Sequence, residues 1–132
     1  MATRVFLALS TLLWLPYGIY CLLRPESLAD AAGVAFHSPT GSTELRAMYG
    51  GLEAALGVLA GLALLRPRMV RPALIAIGFL TSGLAAARLA GVALDGGFSS
   101  YTAMALGIEI PSALIAFGLL RGRGVAGSAA ET

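Results

Sequence analysis

Three ionisable residues of this sequence fall where a charge is costly. Glu53, Arg88 and Glu109 each sit inside a separate run of about twenty mostly apolar residues, the length that crosses a bilayer. An ionised side chain at the centre of a span costs at least ~2.5 kcal/mol on insertion scales, so three in one short chain call for a reason. Two carboxylates and a guanidinium brought together away from water can hold an anionic or carbonyl group, or exchange a proton by general acid-base chemistry. They can also serve as a polar clamp that fixes helix register. The residue types alone leave the functional and the structural readings level.

The elements that must position these groups are helices in a membrane. Of 132 residues, 58% are hydrophobic and 12% are charged, about half the charge a soluble domain carries. Four apolar segments are long enough to span: 5–23, 45–65, 73–94 and 101–120. Arg24-Pro25, Arg66-Pro67-Arg68, Arg71-Pro72, Asp95-Gly96-Gly97 and Arg121-Gly122-Arg123 punctuate them. The first run is too long for the short apolar core of a signal peptide and is read as a retained helix. The expected fold is an all-α integral membrane four-helix bundle formed by residues 1–123 as one domain. A tail of small and polar residues, 124–132, is expected to lack regular structure.

All nine basic residues apart from His37 are arginine. Arg4, Arg66, Arg68, Arg71, Arg121 and Arg123 fall on one side of this topology, and Glu26, Asp30, Glu44 and Asp95 on the other, with Arg24. The positive-inside rule therefore puts both termini and the second loop in the cytoplasm. The arginines form no stripe interleaved with aromatics, which argues against nucleic acid as a partner. Cys21 is the only cysteine and offers no metal-ligand spacing; it reads as a small apolar residue of a helix. No metal cage or nucleotide-binding loop is visible, so no cofactor is expected, and a redox cofactor would have to come from elsewhere.

Depth and helical phase favour convergence of the charges. At about 1.5 Å per residue, Glu53 and Glu109 lie roughly 12 Å below the outer boundary and Arg88 roughly 9 Å. Arg46, Tyr49 and Glu53 share a face of the second span, and Ser10, Trp14, Tyr17 and Cys21 line up on the first. Thr81, Arg88 and Asp95 repeat on the third; Thr102, Ala105, Glu109, Ser112 and Ala116 share a face of the fourth. Glu53, Arg88 and Glu109 are the candidate catalytic residues, and Arg46, Tyr49, Trp14 and Tyr17 the candidate ligand-binding ones. Two carboxylates and one deep arginine do not balance: either Arg46 reaches down, or one glutamate holds a proton. Pro111 frees a backbone carbonyl near Glu109. His37 reads as a solvated loop residue, and Tyr20 and Tyr101 as interfacial aromatics.

Helices in lipid associate by close packing, which small residues at spacing four permit. Gly50, Gly57 and Gly61 on the second span, and Gly83, Ala87 and Gly91 on the third, fit packing within the bundle, or a homodimer through the same faces. Thr43 is a plausible N-cap for the second span, residues 25–32 a short interfacial helix, and 37–42 a loop.

The run Glu44-Leu45-Arg46-Ala47-Met48-Tyr49-Gly50-Gly51 opens the second span. It resembles a family of small bacterial membrane proteins known only as a domain of unknown function, and Arg88 and Glu109 match that pattern. The resemblance covers nearly the whole chain. More distantly the layout is similar to DoxX-like four-helix proteins, some of them membrane subunits linked to quinone or sulfur redox chemistry. That similarity implies a fold, and a role only weakly. Location in a bacterial inner membrane follows from the family resemblance and the Arg-, Ala- and Gly-rich composition. Three functions remain in play: binding of, or acid-base action on, a lipophilic small molecule; proton-coupled transport through a membrane glutamate; and an accessory subunit of a membrane redox complex.

Overall fold

A computed structural model describes residues 1–128, with side chains through residue 122. It is all-α, and four of its helical stretches are long and apolar enough to cross a membrane: Ala2–Leu23, Pro39–Leu65, Pro67–Asp95 and Ser100–Gly122. The sequence reading treats residues 1–123 as one domain. The contacts group the chain into two compact units, Met1–Val70 and Arg71–Thr132.

The first unit opens with α1 (Ala2–Leu23), which runs through Pro16 without a break. The short α2 (Ser27–Ala32) follows, as the sequence suggests, and buries Leu28. Gly33 ends it in the left-handed conformation, at φ 70°. Its N–H and that of Val34 return to the carbonyls of Ala29 and Leu28, closing the orphan end of the helix.

The second span starts earlier than its hydropathy indicates. α3 (Pro39–Leu45) is capped by Ser38, whose Oγ accepts from the Gly41 N–H at 3.1 Å, with Pro39 in the first turn. Ser38 rather than Thr43 is thus the N-cap, and residues 39–42 are helix rather than loop. The reason is local: Ser-Pro supplies a capping oxygen and a ring that needs no N–H donor. Thr43 lies inside the helix and donates to the Pro39 carbonyl. His37 stays exposed in the preceding bend.

From Arg46 to Gly51 the chain adopts a π-helical turn before resuming as α4 (Leu52–Leu65). The Leu52 N–H reaches back five residues, to the Ala47 carbonyl, instead of four. One residue is thereby accommodated in excess of the α repeat, and Arg46 and Tyr49 shift in phase relative to Glu53. A 3-10 turn, Pro67–Met69, ends the unit, with Arg66 and Arg68 exposed.

α1 packs along α4 with almost no side chain between the backbones. A Cβ added at Gly57 would lie 2.7 Å from the Leu15 Cα, and one at Gly50 2.7 Å from the Leu22 Cα. At Gly18 it would lie 2.8 Å from the Ala54 Cα. Glycine is the residue that lets two helices approach this closely, so three glycines set the α1–α4 distance.

The second unit is an antiparallel pair, α5 (Val70–Asp95) and α6 (Ser100–Ser128). The helix thus continues past Arg123 into the expected tail, of which residues 129–132 lie outside the described part. Gly96, at φ 68°, turns the chain, and Ser99 Oγ caps α6 by accepting from the Thr102 N–H. At the far end Phe79 and Phe117 meet edge to face at 5.4 Å, with the Phe117 ring seated against Gly78. α6 buries Thr102, Leu106, Glu109, Ala113 and Ala116, a stripe at helical spacing that carries the carboxylate inward.

Candidate functional site

Glu109 is the most deeply buried charge among the described residues, at 3% exposure. α5 supplies its partner. Arg88 places Nε 3.1 Å from Oε1 and 3.2 Å from Oε2, and Nη2 2.9 Å from Oε1. The guanidinium therefore grips the carboxylate by one edge with charge-assisted bonds. Its carbon lies 5.5 Å from the centre of the Tyr101 ring, within range of a cation–π contact. Arginine suits this position because it is planar, weakly hydrated and able to stack while it donates.

The pair is asymmetric. Glu109 is sealed, whereas the Arg88 side chain keeps 23% of its surface accessible. Pro111 has no N–H, so the Gly107 carbonyl, two residues before Glu109, loses its helical donor. Tyr101, expected as an interfacial aromatic, is also a partner of the pair. Its position eight residues before Glu109, about two turns on one helix, was the available signal. Thr81, on the same stripe as Arg88, turns inward on its own helix and donates to the Ile77 carbonyl at 2.7 Å.

Glu53 belongs to the first unit. It is half-buried on α4 beside Ala54, the residue that touches Gly18. Across the helix crossing, α1 carries the polar column anticipated from its periodicity: Ser10, Trp14 and Cys21 are all buried. Tyr17 and Glu53 both lie near enough to the Cys21 thiol to act on it electrostatically. Trp14 is 5% exposed, and its indole N–H finds no acceptor among the described residues. A buried donor left in this state costs about 1–3 kcal/mol.

Arg46 does not reach down to a glutamate. It donates from Nη1 to the Leu22 carbonyl, in the last turn of α1. The final carbonyls of a helix lack intrahelical donors, and a cation there also meets the negative end of the helix dipole. Gly50 contacts the backbone of the same residue, Leu22. The Arg-Ala-Met-Tyr-Gly-Gly turn is thus a latch: its first residue ties off the end of α1, and its fifth lets the two backbones touch. Tyr49 stands in the same turn, half-buried.

Of the three residues read as catalytic, then, Arg88 and Glu109 form a pair in the second unit and Glu53 stands in the first. Trp14, Tyr17, Tyr49 and Arg46 all belong to the first unit, Arg46 engaged with the backbone. Among the described residues no three His, Cys, Asp or Glu side chains gather to hold a metal ion.

No curated protein and no solved structure shows significant similarity to this chain. One family model matches it, over residues 2–120, which takes in both helix pairs, the π-turn latch and the Arg88–Glu109 pair. The chain belongs to the DUF4345 family, a domain of unknown function.

Proposed function

We propose that this protein binds a lipophilic small molecule within the membrane, and that the Arg88–Glu109 pair meets the molecule's polar group. The observation that carries the reading is the asymmetry of the pair: the carboxylate is sealed while the arginine is accessible. A purely structural clamp gains most from sealing both partners, because screening and hydration weaken an exposed ion pair. A guanidinium is a planar fork of N–H donors, the geometry that carbonyl and anionic groups accept, and Glu109 fixes its plane. Glu109 is the group through which such a site would exchange a proton.

The test is extraction and mass spectrometry of protein purified in mild detergent, beside Glu109→Gln and Arg88→Ala. The expected result is a defined lipophilic molecule in the wild type that both variants lose while retaining their helical circular dichroism. Bulk phospholipid alone in all three folded proteins would refute the reading.

A second reading, association through α5, is favoured by one observation. A Cβ at Gly83 or Gly91 would meet nothing within 4 Å among the described residues, unlike those at Gly18, Gly50 and Gly57. Cross-linking in native membranes tests it: a dimer abolished by Gly83→Leu supports a homodimer, and a monomer throughout rejects it. We further infer a bacterial plasma-membrane location with both termini in the cytoplasm, supported by the exposed Arg66, Arg68 and Arg71 at the α4–α5 turn. A reporter fused at Arg123 that is active only on the outer face would overturn the orientation.

A further inference from the structure

We infer that one end of the α1–α4 pair is a binding surface for the phosphate headgroup of an anionic phospholipid, held by Arg4, Arg66 and Arg68. The register of the pair brings the three together. Gly50 meets Leu22, Gly57 meets Leu15 and Gly61 meets Thr11, so each step toward the end of α4 is matched by a step toward the start of α1. Continued to Leu65, the last residue of α4, that register sets it level with Leu7. Arg4 then stands about 4.5 Å beyond the end of α4. It is also on the side of α1 that faces α4, since it precedes Thr11 by about two turns and Leu15 by about three. Arg66 leaves α4 in extended backbone, and Arg68 follows in the 3-10 turn.

Charge identifies the occupant. All three arginines are exposed, and none has an ion-pair partner among the described residues. The acidic residues of the first unit outside α4, Glu26, Asp30 and Glu44, lie in the connection from α1 to α4, at the opposite end of the pair. Three uncompensated guanidinium groups at one level favour an anion, and the guanidinium fork matches phosphate oxygens in geometry. The apolar surface beside them selects a lipid over free phosphate. Val5 and Leu9 on α1 and Leu65 on α4 are exposed on the span side of the arginines, where acyl chains run. Membrane topology accounts for basic residues in a loop. It does not ask for one on the helix face turned toward a neighbour, which is where Arg4 stands.

Native mass spectrometry of the full-length protein in detergent tests this whatever its orientation in a membrane. Dioleoylphosphatidylglycerol is titrated beside dioleoylphosphatidylcholine. The wild type is expected to bind the first anionic lipid at least ~tenfold more tightly than the zwitterionic one, and Arg4→Gln to lose about fivefold in affinity, the effect of one basic residue near an anionic surface. Arg4→Gln with Arg66→Gln and Arg68→Gln is expected to bind the two lipids alike. Arg24→Gln, at the opposite end of the pair, should match the wild type. Equal affinity for both lipids in the wild type, or an undiminished preference in the triple variant, would overturn the inference.

Three further arms separate a site from diffuse charge. Ala2→Arg combined with Arg4→Gln keeps the net charge but carries it to the opposite face of α1. That variant is expected to bind as weakly as Arg4→Gln alone, and wild-type affinity would show that position is immaterial and overturn the inference. Excess ammonium phosphate is expected to leave the bound lipid in place. Displacement would assign the cluster to a soluble anion, with the same consequence. The inference does not rest on the Arg88–Glu109 reading. A preference lost in folded Arg88→Ala but kept in Arg4→Gln would assign the headgroup to that pair and overturn it. Ala2, Arg4, Arg24, Arg66 and Arg68 are all exposed, so their variants are expected to keep the wild-type helical circular dichroism.

Discussion

The close contact at Gly57 makes a prediction whose sign is opposite to that of the same substitution elsewhere in the chain. In Gly57→Ala the new methyl would lie 2.6 Å from the Leu15 Cβ and 2.7 Å from the Leu15 Cα, and it would also collide with the Leu15 backbone nitrogen. Carbon atoms settle at roughly 3.5–4.0 Å, so α1 and α4 would have to part by about 1 Å at this level. Backbone atoms cannot rotate aside as a side chain would. Overpacking of this kind costs roughly 1–3 kcal/mol, and the loss of neighbouring contacts at Gly18 and Gly50 adds to it. Alanine is a better helix former than glycine by about 1 kcal/mol, which offsets part of the loss. The net expectation is destabilisation by about 1–3 kcal/mol. At Gly83, where a Cβ meets no described atom, only the propensity gain remains, and Gly83→Ala is expected to be neutral or stabilising by up to ~1 kcal/mol. Both variants can be unfolded reversibly with sodium dodecyl sulfate in mixed micelles and followed by circular dichroism. Equal stabilities for the two variants would refute the argument that glycines set the α1–α4 distance.

The remaining predictions concern polar contacts. Arg88→Ala is expected to lose about 3–5 kcal/mol by leaving the sealed Glu109 carboxylate uncompensated, and Glu109→Gln less, because Arg88 is partly accessible, whereas Arg88→Met with Glu109→Leu should restore most of the loss. A double-mutant cycle in the same micelles checks this, and additivity of the single effects to within ~0.5 kcal/mol would show that the two residues do not interact. Arg46→Ala removes the charge-assisted bond to the Leu22 carbonyl and should cost about 1–2 kcal/mol, with faster amide exchange over the last turn of α1. Arg46→Lys should recover part of that, since a cation near a helix C-terminus is favourable without the second contact. Exchange at α1 unchanged in Arg46→Ala would reject the latch.

Much of the fold was legible in the chain because a bilayer imposes few solutions. Backbone groups in hydrocarbon must be satisfied internally, so runs of this length and apolarity become helices. Their ends were less legible. Thr43 looked like the start of the second span by hydropathy, but a capping serine followed by proline begins a helix whether or not the residues after it are apolar, and α3 starts there. Of the candidate site, the presence of Arg88 and Glu109 within spans was visible, since charge inside an apolar run stands out in any reading. The stripe on α1 was visible too, because helical phase is a property of spacing alone.

What the tertiary structure decided is which groups meet. Periodicity places Arg46 and Glu53 on one face of the second span, yet Arg46 serves the end of α1, because a carbonyl left over by one helix is known only when another helix passes it. The π-turn alters the phase between the two, and no propensity in Arg-Ala-Met-Tyr-Gly-Gly announces an extra residue per turn. Tyr101 became a stacking partner of Arg88 because the α5–α6 turn sets the register of that pair. The glycines show the division most clearly. Those of the second and third spans have similar spacing, yet at Gly50 and Gly57 a methyl group would collide with α1, whereas at Gly83 and Gly91 it would meet no described atom. Composition settles what solvent a helix prefers; the partners of its side chains depend on distances between helices, which composition does not contain.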